Sequence, residues 1–273
     1  MWCRILLLGL FFLQGSVYSQ GFHSSRNLNF GLPGFSSRQA TVFTLYGNSA
    51  SLAQLSSTAL GISTERKFML AELSTINFSG ALINSKANLA VTLHTSGFDG
   101  YRESEAGLFA ARKLGDKIDV GINFSYASIA IPGYGKSNAV SGEAGVILHL
   151  SEQVHAGIQI KNPAGGRFTG SGGNKLPALY SLGILYETSK TACLSILVLK
   201  EESQPVNVNA GFKYLIHPRL WAIAGISSSS SSLYMGAGLL LSSFRIEISS
   251  AYHQLLGYSP QLSLIVQLKR EDL

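Results

Sequence analysis

The residues best suited to chemistry in this 273-residue chain are few and scattered. His149 and His155 flank a Ser151-Glu152-Gln153 turn. A turn of that length makes them direct cross-strand partners on one face. With Glu143 nearby on the same run, two imidazoles suggest a metal site. A functional metal site ordinarily takes three or four ligands and a supporting shell, so the competing reading is a pair of polar lumen-facing side chains. Ser227 to Ser232 is a run of six serines, either a modification target or a flexible loop between strands. Gly165-Gly166 and Gly170 to Gly173 look like a phosphate cradle, but no strand-to-helix context follows, so the P-loop and dinucleotide readings fail. Glu201-Glu202 and Lys269-Arg270-Glu271-Asp272 read as solvated ends. No Ser–His–Asp grouping, carboxylate pair or Cys/His cluster stands out by spacing. No catalytic, cofactor-binding or metal-binding residue is assigned, and the chain is read as a non-enzyme.

The elements that hold these residues are strands. From Val206 to Ile216 every even position is apolar or aromatic, and the odd positions are Asn207, Asn209, Gly211, Lys213 and Leu215. That period of two marks a strand with one greasy and one polar or small face. Ile118, Val120, Ile122, Phe124 and Tyr126 against Asp119, Gly121, Asn123, Ser125 and Ala127 is the cleanest case. Turn lengths agree with the parity. His217-Pro218-Arg219 as a three-residue loop pairs Ile216 with Leu220 and Tyr214 with Ala222, and Ser242-Ser243 switches the apolar parity between Leu241 and Phe244.

About fourteen such segments follow one another, at 58–66, 69–83, 87–96, 101–113, 117–129, 138–150, 154–161, 176–187, 191–200, 205–216, 220–227, 233–241, 244–253 and 260–269. Most run near the ~9–11 residues that cross a bilayer at a tilt. Short connections (Asn84-Ser85-Lys86, Gly115-Asp116, Thr188-Ser189-Lys190) alternate with longer ones (Ser96 to Gly100, Ile131 to Asn138, Asn162 to Lys175, Gln254 to Pro260). That is the layout of an outer-membrane barrel with short periplasmic turns.

Composition separates this reading from a soluble β-sandwich, which shows the same alternation. Charged residues are 13 % of the chain, about half the ~25 % of soluble domains, too few for a water-facing exterior. The strands are also longer than the ~5–6 residues common in soluble sheets. The expected fold is therefore all-β: an up-and-down antiparallel transmembrane β-barrel of about fourteen strands, with an N-terminal hatch segment. Arg4, the apolar run Ile5 to Leu13 and Val17-Tyr18-Ser19 read as a signal peptide over residues 1–19. Its removal takes the net charge from +6 to +5 by deleting Arg4, a mild surplus that suits acidic lipid and gives no nucleic-acid signature. Cys193 is then the one remaining cysteine, so no intrachain disulfide forms. Residues 20–57, rich in Gly, Ser, Asn and Pro, read as a segment plugged into the barrel or lying across its periplasmic mouth. Residues 58–273 are the barrel.

Asn48-Ser49-Ala50-Ser51-Leu52-Ala53 resembles the Asn-Pro-Ala-Gly-Leu-Ala element near the start of FadL-type barrels, an element that also occurs in the related PorV/PorQ-like proteins of Bacteroidetes. Lys161 to Gly166 with Leu176-Pro177, Val208 to Tyr214, Phe98-Asp99-Gly100-Tyr101 and the stretch from Ala251 to Leu264 resemble further parts. The resemblance implies a fourteen-stranded outer-membrane barrel whose hatch motif includes Asn48, Ala50 and Leu52. Ser49 stands where the family has Pro, and the end Leu268 to Leu273 carries no terminal aromatic.

FadL-like members move hydrophobic compounds; PorV- and PorQ-like members serve type IX secretion and surface attachment. The first expectation is thus an accessory docking barrel in the bacterial outer membrane. Its partners would be secretion or attachment proteins together with outer-membrane lipid and lipopolysaccharide. The alternative is a FadL-like transporter of hydrophobic small molecules, which predicts an apolar tunnel and a lateral break in the wall. The small, Gly- and Ser-rich lumen face argues mildly against a fatty ligand.

Overall fold

A computed structural model describes residues 32–169, 175–228 and 232–268. The signal-peptide reading, residues 20–31, Gly170 to Gly173, half of the serine run and the charged end lie outside those residues. The chain forms one closed antiparallel barrel in which each strand pairs with its sequence neighbours and β1 closes on β14. The strands are β1 Ala59–Arg66, β2 Ser74–Leu82, β3 Asn88–Phe98, β4 Tyr101–Leu114, β5 Ile118–Ile131, β6 Gly135–His149 and β7 Val154–Lys161. The circuit continues with β8 Leu179–Tyr186, β9 Ala192–Glu201, β10 Asn207–His217, β11 Leu220–Ser227, β12 Ser232–Leu241, β13 Phe244–His253 and β14 Gly257–Gln267.

The barrel is inside out relative to a soluble fold. Exposed positions along β5 are Ile122, Phe124 and Tyr126, and the same rows continue as Leu89, Val91 and Leu93, then Leu182 and Ile184, then Leu194 and Ile196. The alternate positions are buried and mostly polar: Ser63, Asn77, Thr92, His94, Asn123, Ser125, Gln159, Ser195, Asn209 and Gln261. Lipid contact explains the greasy outer rows, because a charged side chain at the bilayer midplane costs about 2–4 kcal/mol there. Tyr126, Tyr180, Tyr186, Tyr214, Tyr252 and Tyr258 are exposed on the outside, as befits rings that favour the membrane interface.

Both barrel ends of the chain lie together. Ala59 pairs with Ala81 and with Gln267, beside the turns that follow β2, β4, β6, β8, β10 and β12. In this fold that end is periplasmic.

Three local expectations are corrected. First, the segment expected to start a strand at 69 instead makes two 3-10 turns, Lys67–Met69 and Ala71–Leu73. Phe68 and Met69 take left-handed backbone at φ 52° and 61°, which no strand accommodates. Second, the turn after β10 is Pro218-Arg219: His217, not Ile216, pairs with Leu220, and Ile216 is the extra residue of a bulge. Tyr214 does pair with Ala222, and Leu241 with Phe244. Third, several outer connections are tight. Phe98 pairs with Tyr101 across Asp99-Gly100, Ile131 pairs with Gly135, and His253 pairs with Gly257. Pro260 sits inside β14, and β1 stops pairing at Gln261, so its missing N–H leaves no ladder bond open on that side.

Candidate functional site

Residues 32–57 lie inside the barrel and fill the periplasmic part of its lumen. The chain enters extended through Leu32 to Ser36, turns at Ser36 to Ala40, and makes two 3-10 helices, Thr44–Tyr46 and Ser49–Gln54. Asn48 caps the second: its side-chain oxygen accepts from the Ala50 amide at 2.9 Å, which is why a short polar residue begins this turn. Its Nδ2 donates to the Ile158 carbonyl at 3.1 Å. The three motif residues Asn48, Ala50 and Leu52 are thus brought together, each 1 % exposed or less.

The wall is cut to receive this segment. A Cβ on Gly145 would overlap the Asn48 side chain, one on Gly121 would overlap the Ser49 backbone, and one on Gly157 or Gly183 would overlap the Phe35 ring. Around these notches the lumen face turns small or apolar. Val42, Phe43, Leu45 and Leu52 pack on Ala59, Ala81, Ala90, Phe109, Ala111 and Ile265. Leu32, Phe35 and Ala50 pack on Ile147, Leu185 and Cys193.

Polar side chains latch the hatch to the wall. Gln54 Nε2 donates to Asp119 Oδ2, whose carboxylate is 2.9 Å from His149 Nε2. His149 Nδ1 is 2.8 Å from His155 Nδ1. Ser36 donates to Glu187 at 2.6 Å, and Arg38 donates to the same carboxylate at 2.8 Å. The expected His149–His155 pairing is present in the register, but Glu143 is not its neighbour. Glu143 lies further along β6 beside Lys161 Nζ, at 3.9 Å, with Glu105 at 3.6 Å from the same ammonium. Among the described residues, no group of three or more His, Cys, Asp or Glu is placed to hold a metal ion.

On the β10–β14 side the hatch leaves two small cavities. One, about 50 Å³, is lined by Gln39, Lys213, Arg245, Glu247 and Ser249. The other, about 140 Å³, reaches Arg38, Arg245 and Gln267. Lys213 donates to Gln39 at 2.8 Å, and Arg245 stacks 4.5 Å from the Trp221 ring while pairing with Glu247 at 2.6 Å. Both volumes suit water and fall below the roughly 300–1,000 Å³ of a small-molecule pocket. Among the described residues every strand pairs with both of its neighbours, so the lateral break expected of a transporter is not seen in the described wall.

The lumen clusters were not readable from spacing, because Gln54, Asp119 and His149 come from three distant segments. The available signal was the polarity of the odd positions in β5 and β6.

No protein-family model matches the sequence, and no curated protein is similar to it. Solved structures are similar in fold. The monoaromatic hydrocarbon channel CymD has a TM-score of 0.62 at 12 % identity, covering 89 % of this chain and 99 % of that one. The Pseudomonas putida toluene transporter TodX has 0.58 at 10 %, covering 85 % and 95 %. A Pseudomonas aeruginosa FadL homologue has 0.55 at 10 %, covering 88 % and 96 %. The fold is that of the FadL-type outer-membrane channels, and with the lipid-facing belt it sets this chain in the bacterial outer membrane. These neighbours are channels and a transporter, not enzymes.

Proposed function

We propose that this protein is an outer-membrane channel of the FadL type that passes small hydrophobic molecules, closed at rest by residues 32–57. The observation that carries the reading is a hatch seated in the lumen of a barrel of the same architecture as a monoaromatic hydrocarbon channel over nearly that channel's whole length. The lumen wall supports it. Phe109, Ile147, Leu185 and Ile265 face inward and are covered by hatch side chains. A displaced hatch uncovers an apolar surface inside an otherwise wet pore. The two cavities beside the hatch, about 50 and 140 Å³, are too small for such a molecule, and on this reading passage proceeds by displacement of the hatch. The test is uptake of labelled toluene by cells that lack their own hydrophobic channels. Expression should raise the rate several-fold over vector alone. Cysteines at Ser36 and Glu187 in a Cys193→Ser chain, joined by a short thiol-reactive bis-maleimide, should abolish the gain. A folded, membrane-inserted protein with uptake equal to vector would overturn the reading.

A second reading, a PorV/PorQ-like docking barrel for secretion or attachment proteins, is favoured by one feature. Met69, Leu70, Leu255, Leu256 and Tyr258 are exposed on the outer rim, where Phe68 packs edge-on to His253 at 5.9 Å. Affinity capture from native outer membranes that recovers secretion components, with no uptake activity, would favour it. Under either reading the outer-membrane lipids, lipopolysaccharide included, are the protein's immediate surroundings.

A further inference from the structure

Charge is unequally divided between the two ends of the barrel. At the end carrying the short turns, the exposed charged residues of the wall among the described residues are Lys86, Arg112, Lys113, Lys117, Lys190 and Arg219, against Asp116 and Glu152. At the other end, Arg66, Lys67, Arg102, Lys136, Arg167, Lys175 and Lys200 are nearly balanced by Glu65, Glu72, Asp99, Glu103, Glu201 and Glu202. There the opposite charges meet: Lys175 pairs with Glu202 at 2.6 Å and Arg102 lies 3.7 Å from Asp99. Lys86, Arg112 and Lys117 make no ion pair with a described residue.

These three cations are grouped. β3 pairs with β4, and Asn88 lies opposite Ala111, so the turn bearing Lys86 is beside Arg112. Lys117 follows in the next turn. Arg112 itself belongs to the lipid-facing row of β4, between exposed Leu108 and Leu114. Leu82, Leu89, Ile118 and Leu150 complete an exposed apolar band at the same height. A guanidinium rooted among lipid-facing leucines extends along the wall to the nearest polar layer, which is that of the lipid headgroups. A group of exposed cations at the edge of an apolar band fits a phosphodiester with acyl chains attached.

We propose that Lys86, Arg112 and Lys117 form a binding site for an anionic phospholipid of the periplasmic leaflet. Each cation contributes attraction to the headgroup charge, and the leucines on either side receive the acyl chains. The site holds the barrel at a fixed depth and leaves the opposite rim without such preference. It is separate from the hatch and the lumen, so it stands or falls independently of what the channel carries.

Native mass spectrometry of the detergent-solubilised full chain tests this, with equimolar phosphatidylglycerol, phosphatidylcholine and lipid A as probes. The protein should retain phosphatidylglycerol over phosphatidylcholine. The triple variant Lys86→Gln, Arg112→Gln, Lys117→Gln should lose that preference, by roughly fivefold per cation removed and on the order of a hundredfold for three. The single variant Arg112→Gln should lose part of it, which keeps the test available if the triple variant folds poorly. The control triple Arg102→Gln, Lys136→Gln, Lys200→Gln should retain it. Equal retention of both phospholipids by the unaltered protein, equal loss in the control, or retention of lipid A in place of phosphatidylglycerol would each overturn the proposal.

Discussion

Asn48 of the hatch and Gly145 of β6 fit each other so closely that a single added carbon at position 145 would occupy the space of the Asn48 amide oxygen. The same side chain caps its own turn through Ala50 and donates to the Ile158 carbonyl at 3.1 Å. One residue thereby fixes the local fold of the hatch and its place against the wall.

Gly145→Val should therefore unseat the hatch while leaving the barrel paired. Its lipid-facing neighbours are untouched, so heat-modifiable mobility on gels should remain that of a folded barrel. Conductance in planar bilayers should rise, and proteolysis within residues 32–57 should accelerate. Unchanged conductance and protection would show that the notch does not hold the hatch.

Phe124 faces lipid near the middle of β5, and Asn123 beside it faces the lumen. Phe124→Arg should destabilise the barrel by about 2–4 kcal/mol, the cost of an arginine on the lipid face near the midplane. Urea titration of folding in lipid vesicles measures it. A negligible change would argue against lipid contact at this row.

Lys161 stands between Glu105 and Glu143, all three nearly closed off from solvent. Lys161→Met leaves two carboxylates facing a missing cation, at a cost of about 3 kcal/mol. The double variant Lys161→Met, Glu143→Gln should recover part of that loss in the same titration. No recovery would show that the two side chains are not energetically coupled.

The wall was legible in the sequence because lipid and water impose opposite demands on alternate residues. Ile118 to Tyr126 needs no partner to declare its two faces. Turn detail was less legible. Ile216 keeps the apolar parity of β10, so nothing in the pattern marks it as a bulge. Met69 and Leu73 look like strand residues, and only their left-handed or 3-10 backbone removes them from β2. Gly135 to Ser137 read as loop because strands that rise past the bilayer lose the apolar row while keeping their ladder bonds.

The hatch was legible only as an interruption of the alternation and through its Asn48 to Ala53 motif. Its depth in the lumen depends on glycines from four other strands. The latch fared likewise: His149 and His155 were visible as partners, but Asp119 and Gln54 reach them only once the barrel has closed. Glu143 is the carboxylate near them in sequence, but Asp119 is the one that meets His149 in the fold.

The orientation of the barrel wall comes down to which row of each strand meets lipid. Single cysteines placed one at a time at residues 122 to 126, in a Cys193→Ser chain reconstituted in vesicles, carry a nitroxide label whose collisions with oxygen and with a water-soluble nickel complex are compared. Labels at 122, 124 and 126 should meet oxygen and escape nickel, and labels at 123 and 125 should show neither lipid-like oxygen access nor deep burial in hydrocarbon. The opposite pattern, with 123 and 125 in lipid, or no alternation along the five positions, would contradict it.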